Sequence, residues 1–321
     1  MPDNHLDLIR RRAARVAGHG KFVTIDHAKL PAYAAALPLD LVTAPKLSPD
    51  HHFTGDPEQT CVFVLTLDAI NFGSGYFPYL QKLPGLSGYF TVATRLTELF
   101  RKSGPMTATE LSEIPPARCS QIFQQPRDAG VVDELMRLFA RAWNDLGRFV
   151  QLQCMGDFTR LVAAAQQSCA GLVDILSRIE FFRDVQNYNG LDVPFYKRAQ
   201  LTAADLSLAI PGHPLGTFHD LNQLTIFADN LVPHVLRVDG VLKYADALAA
   251  KIDNNELVPR GSMEEIEIRA AAVHASELIV AELHQRGRPV SAMQLDYLLW
   301  NCGQQPAYKS RPRHRTRTVY Y

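Results

Sequence analysis

Apolar positions along the chain recur at helical spacing. From residue 129 to 151, Val131, Val132, Leu135, Leu138, Phe139, Ala142, Trp143, Leu146, Phe149 and Val150 return at three- and four-residue steps, which lines one face of a long helix. Residues 263–284 read as another helix of about six turns. Start signals agree with this pattern. Thr107 with Glu110, and Ser291 with Gln294, fit the reciprocal capping box that satisfies exposed amide donors, and Ser262 is placed to cap the helix that follows it. The apolar run Cys61–Ile70 suits a buried strand or a buried helix; lacking clean alternation, it is read as helix. Pro and Gly cluster at 104–105, 115–116, 211–216 and 286–289, each cluster short enough for a loop inside a compact domain. These signals predict a mainly α fold with at most minor β, and one domain over residues 1–321. Two lobes, about 1–150 and 151–321, are the alternative parse.

Composition narrows the class. With 321 residues and 47% apolar content, the chain can bury one large core or two modest ones, which excludes disorder. Lys plus Arg equals Asp plus Glu at 33 each, so no global charge drives nucleic-acid binding, and no stable nucleic-acid partner is expected. No stretch approaches the roughly 18 continuous apolar residues of a membrane span. The cluster Arg10–Arg12 follows a short apolar patch without an export-type apolar region, and Asp3 and Asp7 oppose an Arg-rich transit peptide, so a cytoplasmic monomer is expected. Cys61, Cys119, Cys154, Cys169 and Cys302 are scattered, without the paired spacing of a zinc or disulfide frame, and are expected to be reduced, mostly buried thiols. Leu257-Val-Pro-Arg-Gly-Ser262 spells a common engineered protease site, but it sits mid-chain and leads into a helix, so it is read as native.

Four patches could carry chemistry. In Asp192-Val-Pro-Phe-Tyr-Lys-Arg-Ala-Gln-Leu-Thr-Ala-Ala-Asp205, Pro194 is read as opening a helix, with Phe195, Ala199 and Leu206 on its core face and Lys197 near its N-terminus. There the helix dipole and low dielectric favour a neutral amine; a surface lysine is the plainer alternative. In Asp220-Leu-Asn-Gln-Leu-Thr-Ile-Phe-Ala-Asp229, Asp229 follows an apolar turn, as either a capping group or a buried acid or base. A lysine and an aspartate in one cleft suit glycosidic chemistry, in which a carboxylate steadies an oxocarbenium-like sugar or activates water. Asp68-Ala-Ile-Asn-Phe-Gly-Ser-Gly-Tyr-Phe-Pro78 mixes aromatic faces with an amide and a carboxylate, as a planar heterocycle would require; a turn plugged by core aromatics is the alternative. From Lys309 onward come five Lys or Arg and no acid. That is either a frayed tail or one folded back to offer Arg or His to a phosphate. No P-loop, dinucleotide fingerprint, nucleophile elbow or H-E-x-x-H helix is present. His51-His52 lack a third ligand, so neither metal nor cofactor is expected.

Taken together, Leu67-Asp-Ala-Ile-Asn-Phe72, Pro194-Phe-Tyr-Lys-Arg-Ala-Gln200 with Ala204-Asp205, Asp220 through Asp229, Gly261-Ser262 through Glu267-Ile-Arg269, His274-Ala-Ser-Glu277 and His314-Arg-Thr-Arg-Thr318 resemble the queuosine salvage family in order and spacing. The resemblance implies a mostly helical fold similar to helix-hairpin-helix DNA glycosylases, and hydrolysis of queuosine 5′-monophosphate to queuine and ribose 5-phosphate. It further implies Asp229 and Lys197 as the catalytic pair, with Lys197 an electrostatic partner rather than a Schiff-base nucleophile. Asn71, Phe72, Phe195 and Asp68 are candidates for holding the base, and Arg269, Lys309, Arg313 and His314 for the 5′-phosphate. Gly73-Ser-Gly-Tyr-Phe77 departs from the more aromatic stretch of eukaryotic members. A DNA-repair glycosylase and a non-catalytic carrier of a modified nucleoside or tRNA are the rival functions.

Overall fold

The structure, a computed structural model, describes residues 4–41, 47–127 and 130–321. Asp3, and residue 129 at the head of the long stripe, lie outside them. In chain order the elements are α1 (His5–Ala17), β1 (Val23–Ile25), α2 (Leu30–Ala36), α3 (Pro57–Ala69), α4 (Gly88–Ser103), α5 (Ala108–Glu113), α6 (Pro116–Ile122), α7 (Val131–Cys154), α8 (Phe158–Ala163), α9 (Cys169–Ser177), β2 (Val185–Tyr188), β3 (Leu191–Pro194), α10 (Lys197–Ala209), α11 (Val232–Val238), β4 (Leu242–Tyr244), α12 (Asp246–Asp253), α13 (Met263–Gln285), α14 (Ala292–Cys302) and α15 (Pro306–Lys309). The fold is mainly α, with two antiparallel two-stranded sheets, β1–β4 and β2–β3. No helix among the described residues is long and apolar enough to cross a membrane.

Two compact units divide the chain. The first comprises Met1–Pro45, Asp184–Lys197 and Asn222–Arg317; the second comprises Lys46–Arg183, Arg198–Leu221 and Thr318–Tyr321. Residue 150, the candidate lobe break, lies inside α7 of the second unit.

Helix α13 organises the first unit. Every residue from Glu265 to Val273 is buried, so the helix is enclosed on all sides there although it carries Glu265, Glu267 and Arg269 into the interior. Such charges persist only where partners meet them. Glu267 accepts hydrogen bonds from the backbone amides of Phe22 (2.6 Å) and Val23 (3.1 Å) and from the Tyr188 hydroxyl (2.7 Å), tying β1 and β2 to the helix. Ser262 caps α13 through the Glu265 amide, and Leu257, at the head of the preceding string, bridges to Arg315.

In the second unit most of the predicted stripe on α7 is buried, at Val132, Leu135, Phe139, Ala142, Trp143, Leu146 and Val150, while Val131, Leu138 and Phe149 are half-buried. Gly147 lets α5 approach, because a Cβ there would stand 2.4 Å from the Ser112 amide nitrogen. The Trp143 indole donates to the Thr66 carbonyl of α3 at 2.9 Å, and α3 is the helix expected from Cys61–Ile70. Both capping boxes, at Thr107 and Ser291, form. Cys61, Cys119, Cys154 and Cys169 are buried free thiols, and Cys302 is half-buried.

Candidate active site

One sequence expectation fails at the start of the lysine segment. Pro194 ends β3 rather than opening a helix, and α10 begins at Lys197. Val185 of β2 pairs with Pro194 in an antiparallel hairpin, a place where a residue without an amide donor is tolerated. The turn into α10 is sharp: Tyr196 has φ +46°, a left-handed conformation that costs a bulky residue energy and persists only where its surroundings fix it. Asp184 is the clamp. Its carbonyl accepts from the amides of Phe195 (2.9 Å) and Tyr196 (3.3 Å), and its Oδ2 accepts from the amide of Lys197 (3.3 Å). Three consecutive amides thus end on one residue, which fixes the stem of Lys197, a side chain only 7% exposed.

Arg269 holds the clamp. Its guanidinium makes a bidentate pair with Asp184 (3.0 and 2.5 Å), lies 3.6 Å from Glu265 and donates to the carbonyl of Ala228 (2.9 Å). It also stacks over Phe195, 4.0 Å from the ring centroid. Expected as a phosphate ligand, Arg269 is instead fully buried, its donors spent on protein groups. Phe195, expected to hold a base, gives a ring face to this guanidinium. The same arginine therefore touches the residue two before Lys197 and the residue before Asp229.

Asp229 takes the capping role, one of its two sequence readings. Its Oδ1 accepts from the amides of Leu231 (2.7 Å) and Val232 (3.2 Å), capping the turn into α11, while Oδ2 has no hydrogen-bond partner among the described residues. The side chain is half-buried.

Beside it stands a residue the sequence reading missed. Asp296, on α14 and 4% exposed, accepts the amide of Phe227 through Oδ1 at 2.8 Å. Burial raises its carboxyl well above the usual carboxylate range and the charge of Asp229 raises it further, against the Phe227 hydrogen bond and the charge of Lys197, which lower it. Lys197, Asp229 and Asp296 thus act on one proton equilibrium. The available signal was an acid on an apolar stripe: Ala292, Leu295, Asp296 and Leu299 share one buried helix face.

The C-terminal stretch is ordered against the fold rather than frayed. In the first unit the Val258 amide donates to the Arg315 carbonyl (2.9 Å), the Thr316 hydroxyl donates to the Val258 carbonyl (2.9 Å), and the Asn230 amide donates to the His314 carbonyl (3.2 Å). His314 is buried, and burial, then the charges of Arg269 and Arg313, push its pKa down to about 3. It is therefore a neutral ring at ordinary pH and brings no positive charge to a phosphate. Arg313 is an exposed residue; crowding around its guanidinium opposes the charge there and Asp229 supports it. Lys309 is exposed at the end of α15.

The remaining candidates belong to the second unit. Asn71 donates to Asp68 Oδ1 at 3.3 Å, and Asp68 is fully buried. Phe72 is 2% exposed, edge-on to Phe139 with ring centroids 5.2 Å apart, and the Arg198 guanidinium lies 5.0 Å from its centroid. That is the packing of a core aromatic rather than an open stacking face. The two histidines are also engaged, His51 with the Thr94 hydroxyl and His52 with the Ser48 carbonyl and Tyr89 hydroxyl. Asp220, from the stretch leading to Asp229, accepts from the amides of Cys169 (2.5 Å) and Ala170 (3.1 Å) and from the Ser168 hydroxyl (2.8 Å), at the start of α9.

A mainly helical fold that sets a buried lysine and a buried aspartate beside a half-buried one has the constituents of a glycosyl-transfer or glycosyl-hydrolysis site. Residues 51–321 match the family described as Queuosine salvage protein, and the chain belongs to that family. It is 36% identical to a queuosine 5′-phosphate N-glycosylase/hydrolase of Sphaerobacter thermophilus, over 96% of this chain and 95% of the relative. Proteins of the same description from Dictyostelium discoideum (31% identity; 82% and 79%) and Mus musculus (28%; 97% and 98%) are also similar.

Proposed function

We propose that this chain hydrolyses the N-glycosidic bond of queuosine 5′-monophosphate, releasing queuine and ribose 5-phosphate. The activity named for its relatives supports this reading, and the observation that carries it is the grouping of Lys197, Asp229 and Asp296 within one electrostatic neighbourhood. In this reading Asp229 takes the reacting position at C1′. With Oδ1 anchored on two amides, Oδ2 is available to accept a proton from the attacking water or to face the positive charge that builds on the sugar. Lys197, held by its backbone, balances the two acids and orients hydroxyl or phosphate oxygens rather than forming a Schiff base.

Arg313 is the leading phosphate ligand, with Lys309 as a more exposed second. A fork of guanidinium donors suits a phosphate, and Arg313 already feels the charge of Asp229. We place this activity on a monomeric cytoplasmic protein that works without a cofactor and, given the chain's balanced charge, without a stable nucleic-acid partner. The test is incubation with queuosine 5′-monophosphate followed by mass spectrometry. Free queuine with ribose 5-phosphate is expected; intact ligand, bound or unbound, would overturn the reading.

A further inference from the structure

Queuine is a 7-deazaguanine, with carbon at the position where guanine carries N7. An enzyme that removes an ordinary purine can help the base depart by protonating N7; on this base that atom cannot take the proton. The electron pair left by the broken glycosidic bond stays on the N9 ring and spreads onto the carbonyl oxygen, and the negative charge raises the basicity of N3, in the six-membered ring. N3 is the nearer to the bond that breaks. A neutral carboxylic acid complements that edge, because its hydroxyl donates to N3 while its carbonyl oxygen accepts from the neighbouring 2-amino group.

Resting on the hydrolysis proposed above, we infer that Asp296 is the acid that protonates N3 of the departing base. The geometry is specific. Oδ1 is fixed as an acceptor by the Phe227 amide at 2.8 Å, two residues before Asp229. Oδ2 has no protein partner among the described residues and is not sealed from solvent. Phe227 is itself braced by Tyr297, the residue after Asp296, with rings edge-on and centroids 6.0 Å apart, so the carboxyl and the turn carrying Asp229 are joined by both a hydrogen bond and a ring contact. Burial and the Asp229 charge both favour the protonated form of Asp296, as the acid of a carboxyl pair requires.

The step balances. The water oxygen bonds to C1′ and its proton passes to Asp229. The C1′–N9 pair moves into the base, and the Asp296 proton goes to N3. The base leaves with the proton on N3 and the electron pair on the N9 ring, and solvent relocates that proton to N9 to give queuine. Asp229 then holds a proton and Asp296 holds none, and exchange through solvent restores the resting state without any oxidant, reductant or further reactant.

Asp296→Asn tests this. The amide oxygen still accepts from Phe227 and the amide nitrogen still donates to N3, but no proton can be transferred. Expected is a fall in kcat for queuine release of roughly 10²–10⁴-fold, with the dissociation constant for free queuine, measured by calorimetry, within about threefold of wild type. A kcat within about threefold of wild type, or a queuine affinity that falls as far as kcat, would overturn the inference. If the asparagine variant does not fold, Asp296→Glu retains an acid: measurable turnover more than about tenfold above the same protein carrying Gln supports the proposal, and equal rates overturn it. Wild-type protein that releases no queuine removes the proposed function itself, whereas wild-type turnover with an unaffected Asp296→Asn variant removes only this inference.

Discussion

Two patches announce themselves in the sequence by the same signal, polar residues set in apolar surroundings, and the structure treats them differently. In the second unit the turn around Asp68, Asn71 and Phe72 closes on itself. Asn71 bonds Asp68, Phe72 packs among rings, and Arg198 donates to the carbonyls of Asp68, Ala69 and Phe181. In the first unit the neighbourhood of Lys197 and Asp229 gathers carboxylates faster than it satisfies them, leaving an oxygen on Asp229 and one on Asp296 without protein partners among the described residues. Rings and backbone carbonyls packed round one buried guanidinium serve the fold. Two carboxyls close enough for one to raise the other's affinity for a proton are kept where chemistry needs them.

Asp229→Asn should produce the largest effect. The amide oxygen can keep the two capping bonds, so stability should hold, while kcat for queuine release falls roughly 10²–10⁴-fold; near-wild-type turnover would remove Asp229 from the mechanism and the contrast with it. Next comes Arg269→Met, which strands the buried Asp184 carboxylate. Loss of a partner from a buried pair costs about 3–5 kcal/mol, and urea unfolding should show it together with lower activity per folded molecule, since Asp184 fixes the stem of Lys197. Phe72→Ala is the matching change in the other unit. It should cost about 3–5 kcal/mol as a core truncation while leaving kcat per folded molecule unchanged. A stable Phe72→Ala protein with impaired queuine binding would return Phe72 to the site and erase the distinction drawn between the patches.

The legibility of the chain follows the same division. Helices α7 and α13, the capping boxes and the cap at Ser262 were readable because they depend on spacing and on residues three apart. Pro194 was misread because proline suits the first turn of a helix and the end of a hairpin strand equally, and only the partner strand, distant in information rather than in sequence, decides between them. Arg269 is a phosphate candidate through the family resemblance alone, and the sequence does not show its partner; Asp184, the residue that neutralises it, lies 85 positions away. Asp296 escaped notice although its place on a buried helix face was legible, because its meaning comes from Asp229 and Lys197, neither of which is near it in the chain.

His314 offers a smaller, pH-dependent way to probe the first unit. In the fold its pKa lies at about 3, against 6.5 for the free side chain, so below pH 6.5 the unfolded chain takes up a proton that the folded chain does not. Stability is therefore lost as the pH falls from 6.5 towards about 3, by about 1.4 kcal/mol per unit. His314→Gln should flatten that limb, reducing the stability lost between about pH 7 and pH 5 by about 2 kcal/mol. An unchanged limb in urea titrations would mean that the ring is not buried as a neutral group.

The smallest expected effect separates the two roles open to Arg313, and it needs two substrates. If the guanidinium binds the 5′-phosphate, Arg313→Gln removes a charge-assisted bond at a partly solvated position, which places the loss at the lower end of the usual range: about tenfold in KM for queuosine 5′-monophosphate, with the unphosphorylated nucleoside unaffected. Lys309→Gln, a fully solvent-facing change, should move the same KM by less than about twofold. If Arg313 acts instead through Asp229, whose charge it shares, the nucleotide and the nucleoside lose kcat by the same factor and KM for both stays put. The ratio of the two substrates, rather than the size of either loss, therefore decides whether the edge of the charged cluster recognises phosphate or only tunes the carboxylate beside it.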